Sequence, residues 1–123
     1  MPEYAIGICY HEPESYALWE LGLIEDYESS TCLFVDAHSV EAAIAWAEKV
    51  ATTLLHHANQ DETLDWKGLG YTCWLEEPFD TSGWMHRRDF FQHVRDGQWP
   101  DIERMTTEAY VAWTKKRDAK PAP

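Results

Sequence analysis

Apolar and polar positions alternate along "YAIGICY" (4–10), with Tyr4, Ile6, Ile8 and Tyr10 on one face and Ala5, Gly7 and Cys9 on the other. A period of two predicts a strand. "HEPES" reads as a turn. "YALWELGLIED" (16–26) brings Trp19, Leu21 and Leu23 to one face and predicts a second strand. "DYESS" turns the chain again, and "TCLFVD" (31–36), apolar on both faces, predicts a central strand.

The period then lengthens. In "HSVEAAIAWAEKVATTLLHHAN" (38–59), Val40, Ala43, Ile44, Ala47, Val50, Ala51, Leu54, Leu55 and Ala58 recur at helical spacing. Ser39 or Asp36 can cap this helix, and Glu41 suits the positive end of its dipole. "LGYTCWLEE" (69–77) predicts a fourth strand that Pro78 stops. Its faces are Leu69, Tyr71, Cys73 and Leu75 against Gly70, Thr72, Trp74 and Glu76. A short helix is expected from Trp84 to Asp96, with Phe90, Phe91 and Val94 buried and Gly97 as its cap. "QWPDIERM" is a loop, and 106–117 is a last helix capped by Thr106.

The expected order is β-β-β-α-β-α-α. It describes a two-layer α+β domain over residues 1–117, with helix 38–59 on one face of an antiparallel four-stranded sheet. Residues 118–123 form a frayed tail. Over about residues 4–77 this order is similar to that of the antitoxin family that includes HicB. The run "DAHSVEAAIAWAEKV" resembles that family's helix after the third strand, whereas its Pro-Gly-Cys turn is missing.

Composition adds a compartment. The 123 residues are 45% hydrophobic, enough for one core without disulfides. Cys9, Cys32 and Cys73 are odd in number and show no CxxC spacing, which fits a reducing, cytoplasmic setting and structural thiols. The start "MPEYAIGICYHEPE" lacks a basic, apolar leader, and no window has eighteen apolar residues, so no membrane association is expected.

Charge narrows the partners. Residues 1–65 hold thirteen Asp or Glu and one Lys, hence the whole net charge of -12; residues 66–123 balance nine against nine. An acidic field repels nucleic acid and attracts basic surfaces. Histidine pairs His56/His57 and His86/His93 lack metal-ligand spacing, so neither a metal nor any cofactor is expected. Phosphate-binding loops, GxSxG and EF-hand patterns are absent.

The expected function is therefore a small, acidic, non-enzymatic binding protein, immunity- or antitoxin-like, that covers a basic site on a protein partner. Its contacts would come from Glu25, Asp26, Glu28, Asp61, Glu62, Asp65 and Trp74. One alternative is a ligand-binding or enzymatic domain with a pocket between sheet and C-terminal helices, using Glu76, Glu77, His86 and His93. Another is a homo-oligomeric structural or phage-related protein. Monomer and homodimer both fit.

Overall fold

The computed structural model describes residues 1–23, 28–76 and 87–118. Strand β1 (Glu3–His11) and strand β2 (Glu28–Asp36) pair antiparallel over their whole length, from Glu3↔Asp36 to His11↔Glu28. Helix α1 (Pro13–Glu20) lies between them in sequence. Helix α2 (Val40–Asn59) follows, then strand β3 (Cys73–Leu75), strand β4 (His93–Arg95), a 3-10 turn (Ile102–Met105) and helix α3 (Thr107–Asp118). The sheet order is β3-β1-β2-β4.

The α+β class holds, and the sheet is mixed rather than antiparallel. β3 runs antiparallel to β1, while β4 runs parallel to β2 through Phe34↔His93 and Asp36↔Arg95. The chain reaches β4 only after a long excursion, and a long connection, unlike a tight hairpin, permits the parallel direction.

α2 forms where the sequence predicts it. Ser39 Oγ accepts the Ala42 N–H at 3.2 Å, and Gln60 closes the far end in the left-handed region at φ 51°. The buried face of α2, including Ala43, Ala47, Val50, Ala51 and Leu54, packs on Ile6, Ile8, Tyr10, Leu33 and Val35. Fully burying each Val, Leu or Ile side chain contributes about 1.5–3 kcal/mol. Trp66 seals one end of this core: it is buried, and its indole N–H donates to the Cys9 carbonyl at 2.9 Å.

Two expected elements are corrected. The first part of the expected second strand is helix α1, and Leu21–Leu23 form its exit turn. Pro13 sits in the first helical turn, where its fixed φ and missing N–H cost nothing, and Ala17, Leu18 and Glu20 favour helix. The alternation of Trp19, Leu21 and Leu23 imitates a strand without being one. The order shared with the HicB antitoxins is thereby lost.

The expected helix over 84–96 is also absent where the residues are described. Arg87–Phe90 make a turn, and His93–Arg95 are strand β4. The Phe34 N–H donates to the Gln92 carbonyl at 3.0 Å and the Asp96 N–H to the Asp36 carbonyl at 2.8 Å. A helix this short is marginal alone, so sheet hydrogen bonds and burial of Val94 decide the outcome. Gly97, at φ 89°, ends β4 instead of capping a helix.

The last helix is as expected, though Asp118 still belongs to it; residues 119–123 of the expected tail lie outside the described residues. Thr106 Oγ1 accepts the Ala109 N–H at 3.2 Å. The Glu12 carboxylate accepts both the Thr107 N–H, at 3.4 Å, and the Thr107 hydroxyl. Tyr110 and Trp113 then pack on Phe90, with ring centroids 5.3 and 5.5 Å away. No described helix is long and apolar enough to cross a membrane.

Candidate functional site

Helix α1 ends in an apolar knuckle. The Leu23 N–H bonds back to the Leu18 carbonyl at 3.0 Å, and the Gly22 N–H to the Trp19 carbonyl at 2.9 Å. Gly22 adopts φ 72°, which completes a Schellman closure of the helix. Around this turn Leu18, Trp19, Leu21 and Leu23 are 42, 41, 72 and 68% exposed. Single exposed leucines are ordinary; four large apolar side chains held together on one hydrogen-bonded turn are a feature of recognition surfaces.

The flanking sequence is acidic. Between residues 12 and 28 the sequence has Glu12, Glu14, Glu20, Glu25, Asp26 and Glu28, and no Lys or Arg. Where α1 begins, Glu12 and Pro13 face His57, Gln60, Thr106 and Glu108 across a cleft of about 290 Å³. Two carboxylates at its mouth favour a cationic group. Beneath it, the fully buried Tyr10 phenol is pushed above its ordinary range, first by burial and then by the Glu12 charge.

A second constellation occupies the opposite end of β1. Glu3 opens β1, Asp36 closes β2 directly across from it, and His93 opens β4. The His93 Nε2 lies 2.8 Å from Asp36 Oδ1, and its Nδ1 lies 3.5 Å from Glu3 Oε2. Arg88 holds the other Glu3 oxygen at 3.0 Å and stacks 4.4 Å over the Phe34 ring. This cluster joins residues remote in sequence, so no local spacing announces it.

The sequence-derived candidates fall in several places. Asp61, Glu62 and Asp65 lie in the loop after α2, with Glu62 and Asp65 exposed. Asp61 accepts from the Thr63 hydroxyl at 2.6 Å and its N–H at 2.9 Å, and these bonds hold its carboxyl below the usual range. Trp74 points away from the α2 face, as alternation predicts, but its indole covers Gly7 and donates to Glu76 Oε2 at 2.5 Å. Glu25, Asp26, Glu77, His86 and the Glu28 side chain lie outside the described residues.

Glu76 follows β3 and His93 begins β4, which are the two outer strands of the sheet, so the fold does not bring them together. Two strands intervene, a separation of about 14 Å at the usual strand spacing. The cysteines are free, and burial is the largest cause that pushes Cys32 and Cys73 up to about 12. Thiols held so strongly in the neutral form are poor nucleophiles. Sequence reasoning missed the knuckle because it assigned α1 as strand; Pro13 and the Gly22 stop were the available signals. No family model matches the sequence, and no curated protein or solved structure gives a significant match.

Proposed function

We propose that this chain is a non-enzymatic binding protein whose α1 knuckle docks a partner surface of mixed apolar and basic character. The observation that carries the reading is the exposure of Leu18, Trp19, Leu21 and Leu23 on one closed turn within a segment of six carboxylates and no cation. Tryptophan and large aliphatic anchors supply affinity by leaving water. Surrounding carboxylates select basic partners and speed encounter. A second copy of the chain carries the same net charge of -12 and is repelled, so the partner is a different, cationic protein. An immunity- or antitoxin-like role, covering a basic site, is one form of this reading.

The test uses the full chain as bait at low salt, beside a Trp19→Ala/Leu21→Ser/Leu23→Ser variant. All three side chains are at least 41% exposed, and a thermal melt of the variant beside the wild type checks that it is folded. The wild type is expected to retain a stoichiometric basic protein that high salt releases, and the variant to lose it. For the isolated complex, Trp19→Ala alone is expected to weaken binding by at least about 2 kcal/mol, roughly 30-fold. Equal retention by wild type and triple variant would remove the knuckle from the interface.

A further inference from the structure

The cluster at the sheet end has the ingredients of a cation site. Glu3, Asp36 and His93 come from three adjacent strands, and one ligand atom from each lies within 4.8 Å of the others. Ligands bound at about 2.1 Å to a divalent transition ion sit about 3.0–3.4 Å apart. His93 now bridges the two carboxylates, Nε2 2.8 Å from Asp36 Oδ1 and Nδ1 3.5 Å from Glu3 Oε2, and a metal would take only one of these nitrogens, so the 4.8 Å spread of the three ligand atoms has to shrink to that range. Side-chain rotation alone can close the remainder, because these side chains are between 29 and 48% exposed and their backbones are fixed in strands.

Charge balance is the second, independent observation. Glu3 and Asp36 are direct cross-strand partners, and like charges in that position repel. Arg88 pairs with Glu3 through Oε1, and Glu3 Oε2 is turned to the imidazole. Among the described residues no Lys or Arg reaches Asp36. Asp36 and Glu3 Oε2 both face the imidazole, and a cation bound between them would relieve the repulsion between the two carboxylates. Arg88, itself seated on Phe34, fixes the Glu3 carboxylate in the way an outer-shell partner orients a metal ligand.

We propose that Glu3, Asp36 and His93 bind a borderline divalent cation of the zinc class, with one imidazole nitrogen and one oxygen from each carboxylate, water filling the remaining positions. An imidazole among the ligands favours zinc, nickel or copper over magnesium and calcium, which prefer oxygen alone. This site is separate from the α1 knuckle and does not depend on it.

The experiment is a zinc chloride titration of the full chain, followed by calorimetry and by residue-resolved amide NMR, with calcium chloride in parallel. The expected result is saturable binding of one zinc ion, with shifts centred on residues 3, 36 and 93. His93→Gln and Asp36→Asn each weaken it at least about tenfold, whereas His56→Gln leaves it unchanged. Metal-free spectra report whether each variant is folded, and the wild-type map stands without them. Four results would each overturn the proposal: no saturable site up to about 1 mM zinc, shifts centred on the other histidines or the cysteines, undiminished binding by folded His93→Gln, or equal affinity for calcium.

Discussion

Gly7 shows how one missing side chain shapes a surface. A Cβ there would meet the Trp74 indole at 2.2 Å, so the glycine is the seat on which Trp74 lies. Gly7→Ala is expected to displace the ring and destabilise the fold by about 1–3 kcal/mol, the usual cost of overpacking. Urea denaturation with tryptophan fluorescence measures both effects, and an unchanged midpoint would contradict them. The expected alternation had already turned Trp74 away from α2. What no alternation reveals is that Trp74 would cover a strand glycine and bond to Glu76 rather than face solvent. Likewise Trp66, placed in a polar loop, gives no periodic sign that it is buried against β1.

At the level of elements, Glu12 is the link that sequence reading cannot supply. It ends the exit from β1 and caps α3, 95 residues away, through the Thr107 N–H and hydroxyl. Glu12→Ala is expected to remove this cap and cost about 0.5–2 kcal/mol. Faster amide exchange at Thr107–Ala109 would show the loss locally, and unchanged exchange would refute it. β1, α2 and α3 were legible because a sustained period or a clear cap signal declares each of them. α1 and β4 were not, because each is short and its residues fit either period. Tertiary hydrogen bonds and burial decide such segments: the Gln92 and Asp36 carbonyls draw 93–95 into the sheet, and the Schellman closure at Gly22 stops α1. The cluster of Glu3, Asp36 and His93 was invisible for the related reason that it exists only once three strands are aligned.

Across the whole molecule, buried groups that resist ionisation set an alkaline limit. Cys32 and Cys73 rise from an ordinary 9.0 to about 12, with burial the largest cause in each, and Tyr10 also rises. A raised folded value means that the folded chain holds its protons when the unfolded chain has lost them. Their stabilisation is therefore complete below pH 9 and declines from there toward 12, by up to about 1.4 kcal/mol per pH unit for each titrating group. Thermal melts at pH 8, 9.5 and 11 should show a steep fall only in the last two, and a midpoint independent of pH over that span would contradict the burial of these groups. The parallel strand β4 has a different kind of consequence, one that concerns synthesis. β1, β2 and α2 all emerge from the ribosome within the first 59 residues, whereas residues 93–95 appear much later. Until then the nascent chain carries the rim of β2 at Phe34–Asp36 with its amides bare. A growing chain in that state invites strand addition by any extended neighbour. Translation pauses between these two points should therefore favour aggregation, and briskly completed chains should escape it.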